Sequence, residues 1–525
     1  MSSFSNKGDT FVVDDDIINP FPFKLSDQQL NIIKETKGIS KEVISIDAVA
    51  GASKTTTLVA VAHNNPREKY LYLTFSKLLA DEAKEVFPSN TESRTIHSLA
   101  YRDFGYKYAH KLSRPRGKYI NVGGTGGEVS KLLKIKDIHY SEDGYISKAF
   151  IGTLILQALS RYEASDDVSI SENILPKALK SSVDSVITGL SSYQTNDLFK
   201  KIKNQVLVGA KNLWKKRLDV TDKTLCTHDT YVKLWALSDP DLSAKTLLLD
   251  EVQDASMVFL GVIMRQVGKC GIILVGDPDQ NIYSWRHSVN GLGIIDSKEL
   301  SLSKSFRFGD SVADIAKTVL GNGKDILGFE EITSVVGYKD VVDKSKPYVK
   351  LFRMNATLIA EALDLLSDGL TLNLEIDVKD YIKLLQSSEA LHLGKIKEVK
   401  HEEIVPYTSW SSFKEASETS PILGRLVKVV ESNNVGRSIA LLKGHRNVVN
   451  PDVIFTTSHK AKGKTFPSVI LANDFPSNYD KKGKWIGITK EESRLLYVAL
   501  TRAQYRLEYN KTVQEILTKT VNTLN

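Results

Sequence analysis

Cysteine is almost missing from this chain. Cys226 and Cys270 are the only two among 525 residues, too few for a disulfide framework or a zinc site, and they fit a reducing compartment. No apolar run reaches the 18 residues that would suggest a membrane span. The opening stretch, Met1 to Asp16, is polar and acidic and lacks the apolar core of a secretory leader. No short-period repeat and no low-complexity tract occurs, which sets aside a repeat architecture. A strong excess of one charge is missing too. The net charge of +7 and a pI near 8.9 are mild and by themselves say little about nucleic acid.

What is present is an ordinary globular composition on a chain too long for one core, so roughly three or four domains are expected. Basic residues gather in two places: Lys107, Lys111, Arg114, Arg116 and Lys118, then Lys200, Lys201, Lys203, Lys211, Lys215, Lys216 and Arg217. Two such clusters suit a groove that tracks phosphates; a solvated helix face is the other reading of each.

Short apolar runs alternate with helical stretches. Strands are expected at Glu42 to Ala48, Tyr70 to Phe75, Thr246 to Leu249 and Gly271 to Val275, and later at Val349 to Phe352, Val453 to Thr456 and Val469 to Ala472. This alternation predicts βαβ units and parallel sheets. The expected order is a flexible arm over 1–22, then a first α/β domain over 23–100 and 240–302, interrupted by a basic, largely helical insertion over 101–239. A second α/β domain is expected over 303–365 and 449–525, interrupted by a small insertion over 366–448.

Three segments carry chemistry. Ala48-Val49-Ala50-Gly51-Ala52-Ser53-Lys54-Thr55-Thr56 follows a strand and opens a helix. In that context backbone amides and the helix N-terminus can hold phosphates, Lys54 can neutralise them, and the Thr55 hydroxyl can ligate Mg²⁺. The strict phosphate-loop pattern has Gly where Ala48 and Ser53 stand. Second, Leu247-Leu248-Leu249 delivers two adjacent carboxylates: Asp250 as a Mg²⁺ ligand, and Glu251 to orient and deprotonate an attacking water. Third, Gly276-Asp277 breaks a strand at its carboxyl end, where open α/β sheets bind ligands. Gln280 can reach a nucleotide phosphate there, and Trp285 offers a stacking face for a base; a turn around a buried Trp is the alternative. Arg307 and Arg502, each near an aromatic residue, could stabilise charge on a transferred phosphoryl group or form surface ion pairs.

Taken in order, these segments resemble the UvrD/Rep-type superfamily 1 DNA helicases, most closely the helicase part of the F-box DNA helicase family. The likeness runs from about Leu25 to Arg506. It implies two RecA-like phosphate-loop domains, ATP and Mg²⁺ as cofactors, and single-stranded DNA and duplex junctions as partners. By resemblance Gln29 reads adenine, Phe306 packs on it, and Ala50, Gly51, Ala52, Ser53, Lys54, Thr55 and Thr56 form the phosphate cradle. Gln280 and Arg307 reach the γ-phosphate with Arg502. Thr74, Phe75, Lys77, Thr95, His97, Tyr283, Trp285, Arg286 and His459 match DNA-contacting segments. The implied activity is 3′–5′ unwinding or translocation in replication, repair or recombination, by a monomer. The implied compartment is the cytoplasm of a bacterial or phage-infected cell, or a eukaryotic nucleus. No loading or repair partner can be named.

The departures matter as well. Ser53 replaces the Gly before the loop lysine, and Lys464-Thr465-Phe466 stands where the family reads Leu-Glu-Phe, removing a ribose contact. About 150 residues separate Arg307 from Thr457, so the second insertion is expected to be small. No recognisable F-box is read ahead of Leu25, and with about 20 residues after Arg502 no fused nuclease domain is expected. These features keep open a factor of another class, a nucleotide-gated DNA-binding protein that clears proteins from single strands without unwinding.

Overall fold

The computed structural model describes residues 11–14, 17–112, 123–142, 144–175, 179–184, 191–283, 288–367, 371–401, 403–405, 407, 409–417 and 421–524. They form two compact units: residues 1–99, 238–351 and 458–525, and residues 100–237 with 352–457.

The chain begins with a hairpin, β1 (Phe11–Asp14) and β2 (Ile17–Asn19). The arm expected to be flexible is therefore partly ordered. Ile17 and Asn19 turn inward while Ile18 faces out, and Asn64 clamps Ile18 by accepting from its N–H at 2.8 Å and donating to its carbonyl at 2.9 Å. Then come α1 (Asp27–Glu35), β3 (Val43–Ala48), α2 (Lys54–Asn64), β4 (Tyr70–Thr74), α3 (Lys77–Val86), β5 (Thr91–Thr95) and α4 (Ile96–Asp103).

The next stretch is largely helical, as expected: α5 (Gly126–Leu132), a small hairpin of β6 (Ile138–His139) and β7 (Tyr145–Ile146), α6 (Lys148–Ala164), α7 (Leu179–Asp184), the long α8 (Ser192–Leu218) and α9 (His228–Leu237). Its core is Phe150, Leu154, Ile155 and Leu159 of α6 against Ile202, Val206 and Leu213 of α8, the stripe that helical periodicity generates.

The chain then forms β8 (Thr246–Leu249), α10 (Met257–Met264), β9 (Ile272–Gly276), β10 (Lys298–Leu302), α11 (Asp310–Leu320), β11 (Val335–Gly337) and β12 (Tyr348–Phe352). In the second unit follow α12 (Asn355–Ser367), β13 (Leu372–Leu374), α13 (Val378–His392), α14 (Trp410–Ser417), α15 (Pro421–Glu431), α16 (Val435–Gly444) and β14 (Val453–Thr457). Last come α17 (Ser458–Ala461), β15 (Phe466–Leu471), α18 (Lys490–Leu500), β16 (Ala503–Glu508) and α19 (Lys511–Leu524). The boundaries expected at 365 and 449 fall instead at 351 and 457. The reason is that α12 packs on α15, α16 and β14.

In the first unit, six parallel strands run in the order β10-β3-β9-β8-β4-β5. Strands β4, β8 and β9 are buried along their whole length, as parallel strands covered on both faces must be. The edges are polar: Thr-Glu-Ser-Arg-Thr in β5 and Lys-Glu-Leu-Ser-Leu in β10. Their composition hid both from the sequence reading, and their charge blunts open sheet edges. A second parallel set in this unit runs β11-β16-β15-β12. The second unit holds the parallel pair β13–β14. The fold is α/β with parallel sheets. Among the described residues no helix is long and apolar enough to cross a membrane.

Candidate nucleotide site and nucleic-acid interface

The phosphate loop joins β3 to α2, so the positive end of an 11-residue helix opens at Lys54. Gly51 sits at φ +78°, and a Cβ there would lie 2.6 Å from Ser305 Oγ and 2.7 Å from Arg307 Cβ. Only glycine satisfies both the turn and this approach by the 305–307 segment, whose Phe306 N–H donates to the Gly51 carbonyl at 2.9 Å. Ser53 is also left-handed, at φ +57° and ψ +44°, and its side chain makes no cap. The conformation that Gly supplies cheaply is held here by a strained residue.

Asp250 ends β8. Its carboxylate accepts from the Thr55 hydroxyl at 2.7 Å, the Tyr72 hydroxyl at 2.8 Å and the Glu251 N–H at 2.9 Å. Burial first, and then the charge of Glu251, raise its pKa. A hydroxyl and a carboxylate converging in this way fit Mg²⁺, which takes one or two protein oxygens and completes its shell with water and phosphate. Glu251 is itself left-handed, at φ +56°. Burial opposes its charge, but Lys54, 3.4 Å away, and Lys462 hold it down to about 2. Lys54 is also buried, yet Glu251, Asp250 and Asp277 raise its pKa above the ordinary value.

The second set of strands brings the arginines. Arg307 donates to the Thr501 carbonyl at 3.3 Å. Arg502 is fully buried, and its guanidinium donates to the carbonyls of Val498 at 2.8 Å and Lys464 at 3.1 Å and to the Thr501 hydroxyl at 2.9 Å. Burial and the neighbouring Arg307 push its pKa well below the usual range; burial lowers that of Arg307 too.

Gln29 and Phe306 flank the loop. Gln29 is buried, accepts from Ser26 N–H at 3.0 Å and donates to the Thr57 hydroxyl at 3.0 Å. It thereby serves as the capping-box residue of α1. Phe306 is half-buried and meets Phe329 edge-on.

Beside these lies a polar network that sequence reasoning missed. Gln280 donates to Asp277 at 2.7 Å, as does the Tyr497 hydroxyl at 2.8 Å. The same hydroxyl accepts from the Ala50 N–H at 2.8 Å. Lys462 donates to the Gln280 carbonyl at 2.7 Å and to both Asp254 oxygens at 2.6 and 2.7 Å. Lys324 meets Asp47 at 2.7 Å and Asp277 at 2.9 Å. Lys462 and Tyr497 lie inside motifs the sequence displays, so a charge or hydroxyl there was a usable signal. Lys324 follows a Gly-Asn-Gly turn that carries none.

The DNA-contact candidates gather at the carboxyl ends of neighbouring strands, since Thr74 pairs in register with Thr95. Phe75, Thr95 and His97 are half-buried and Lys77 is exposed. Thr74 does not share that surface. It is fully buried at the end of a central strand, its hydroxyl without a partner, so its expected contact with DNA is not supported. The Tyr283 hydroxyl donates to the His459 carbonyl at 2.9 Å, their rings lie 6.2 Å apart, and Lys462 sits over the Tyr283 ring. Trp285 and Arg286 lie outside the described residues.

The two basic clusters divide. Lys111 is buried and caps α8, donating to the carbonyls of Lys216 and Arg217 at 2.9 Å each and to that of Asp219. Arg217 is buried against Glu163 at 2.8 Å. Neither faces solvent. Lys200, Lys201, Lys211 and Lys215 remain on the surface of α8, while Arg114, Arg116 and Lys118 lie outside the described residues.

A lysine-bearing phosphate loop, a strand-end carboxylate pair and two arginines that follow β10 and α18 are arranged on a fold of two RecA-like lobes. Family comparison narrows the class. The UvrD/REP helicase N-terminal domain matches residues 25–296, and the UvrD-like helicase C-terminal domain matches residues 372–512. The chain belongs to the UvrD/REP helicase family. It is 28% identical over 542 residues to F-box DNA helicase 1 of Gallus gallus, covering 94% of this chain and 50% of that protein. It is 27% identical over 522 residues to F-box DNA helicase protein 1 of Schizosaccharomyces pombe, covering 90% and 56%. To ATP-dependent DNA helicase srs2 of the same yeast it is 22% identical over 330 residues, covering 58% and 35%. The chain spans about half the length of the two F-box relatives.

Proposed function

We propose that this protein hydrolyses ATP to move along single-stranded DNA in the 3′–5′ direction and to separate duplex at junctions. The observation that carries the reading is the meeting of the two lobes at one phosphate loop, where Lys54 lies 3.4 Å from Glu251, the Ala50 N–H donates to the Tyr497 hydroxyl at 2.8 Å and the 305–307 segment packs on Gly51. The loop amides and Lys54 bind the β- and γ-phosphates. Thr55 and Asp250 hold Mg²⁺, which supplies charge neutralisation on the phosphates when bound. Glu251 orients the attacking water. While Lys54 pairs with Glu251, the carboxylate is a poor base. Phosphates that draw Lys54 away remove that counter-charge and raise the proton affinity of Glu251 toward the range a general base needs. Arg307 and Arg502 stabilise the charge that develops on the transferred phosphoryl group.

Movement follows from the same arithmetic. Phosphates gripped from both lobes draw the lobes together, and hydrolysis releases them. Phe75, Lys77, Thr95, His97, Tyr283 and His459 form the DNA track, with aromatic faces for bases and cations for the backbone. The polarity rests on family resemblance. The deciding experiment measures ATPase activity with and without single-stranded DNA, then strand displacement on duplexes with 3′ or 5′ tails. DNA-stimulated turnover with displacement only from 3′ tails supports the reading. Stimulated turnover without displacement replaces it with a translocating factor that clears proteins. No turnover in either condition rejects it.

A further inference from the structure

The turn after α11 brings a cation onto the first lobe from the second. Gly321 and Gly323 both lie at positive φ, +58° and +78°, and the Gly321 N–H closes the helix on the Lys317 carbonyl at 3.0 Å. Asn322 accepts from the Lys324 N–H at 3.1 Å, and its amide donates to both Asp279 oxygens at 3.2 Å. The turn is thereby pinned, and Lys324 reaches into a pocket of three carboxylates at the ends of β3 and β9. Its Nζ lies 2.7 Å from Asp47, 2.9 Å from Asp277 and 3.5 Å from Asp279.

Asp277 is the pivot. It is fully buried, and its second oxygen receives Gln280 Nε2 at 2.7 Å and the Tyr497 hydroxyl at 2.8 Å. Its first oxygen accepts from Lys324 and, at 3.2 Å, from the Asp279 N–H, so a buried carboxylate with a cation and an amide on one oxygen and two neutral donors on the other has one orientation. Without the cation it faces the carboxylates of Asp47 and Asp279, with Arg494 3.8 Å from Asp279, and a rotation away from them would release the Gln280 side chain. Burial alone would lower the Lys324 pKa, but Asp277 and Asp47 outweigh it and keep the lysine charged.

We propose that Lys324 is a positioning residue for hydrolysis: by holding Asp277 from the second lobe it fixes Gln280, so turnover depends on the 321–324 turn being docked on the carboxyl ends of β3 and β9. This rests on the ATPase reading above. Lys324 acts through Asp277, 2.9 Å away. The two lobes are thus joined by a charge contact that bears on the sensing glutamine and is separate from the arginines.

The test is steady-state ATPase of the full chain with saturating single-stranded DNA, comparing wild type, Lys324→Ala, Lys324→Arg and Asp277→Asn, with Lys317→Ala as a surface control. Small misplacement of a catalytic group costs up to about 100-fold, so Lys324→Ala is expected to lower kcat about 10- to 100-fold while KM for ATP stays within about threefold, the signature of a contact that matters beyond ground-state binding. Lys324→Arg should recover most of kcat, and Asp277→Asn combined with Lys324→Ala should be no worse than either alone. Unchanged kcat in a folded Lys324→Ala protein overturns the inference, as does a rise in KM at constant kcat. If Lys324→Ala does not fold, Lys324→Gln, which keeps a donor without the charge, is judged by the same two constants. A wild type with no ATPase rejects the function itself; an active wild type with a kinetically silent Lys324 rejects only this inference.

Discussion

Two buried arginines, one in each compact unit, show how differently a fold can treat the same side chain. In the helical insertion, Arg217 of α8 donates to both oxygens of Glu163 at 2.8 and 2.9 Å, and Glu163 also accepts from Thr230 and Thr227. Charge meets charge, with both Glu163 oxygens bonded to Nη1 of Arg217. In the motor unit, Arg502 is as deeply buried but has only carbonyls and a hydroxyl as partners, with Arg307 close by as a like charge. A desolvated cation whose hydrogen bonds go to neutral groups is costly, and the charges of Glu251 and Asp277 offset that cost from outside hydrogen-bond contact. The insertion's arginine is a structural ion; Arg502 is the one that, under the proposed function, meets phosphate.

The contrast can be broken from either side. Arg502→Met keeps an apolar stem and drops the charge. It should lower DNA-stimulated kcat by about 10³-fold or more, the scale seen when an arginine finger is lost, while the urea midpoint holds or rises. A large loss of stability with intact turnover would reverse the roles of the two arginines. Arg217→Met should do the opposite, costing about 3–5 kcal/mol of stability because Glu163 is left buried without its cation, with only the Thr227 and Thr230 hydroxyls among the bonds named above. Adding Glu163→Leu should restore most of it, and urea unfolding of both variants measures this.

A smaller effect is expected at Ser53. Relief of a left-handed non-glycine residue is worth about 1–3 kcal/mol, so Ser53→Gly should tighten binding of a non-hydrolysable ATP analogue several-fold. Weaker binding would mean that the serine is an adapted contact. The smallest expected effect is that of pH on Asp254. Burial lifts its carboxyl to about 6 despite Lys462. Because the folded value lies above the unfolded one, its contribution is fully present below the ordinary carboxylate value and is lost as pH rises through about 6. Between about pH 7 and pH 5 the wild-type urea midpoint should therefore rise relative to Asp254→Asn; parallel profiles would show that Asp254 does not titrate there.

The motifs were legible because each is contiguous. A phosphate loop, a strand-end carboxylate pair and the closing arginine helix fix backbone and side chain within a few residues, so their chemistry survives in one dimension. The apolar strands β4, β8 and β9 were legible for a related reason, since strands covered on both faces are continuous hydrophobic runs. The polar edges β5 and β10 were not, because edge position is a property of the assembled sheet.

Basic residues were the least legible of all. Lys111, Lys200, Lys324 and Arg217 are alike as letters. One caps a helix, one stays on the surface, one bridges the motor lobes and one is sealed in the insertion core. The sequence by itself determined the family, the α/β class and the loop that opens α2, because local order suffices to form a loop at a helix end. Only the tertiary structure decided which charges are spent inside the protein and which remain for a ligand. That depends on partners hundreds of residues away, such as Asp47 for Lys324 and Ala50 for Tyr497, and on the water removed when they meet.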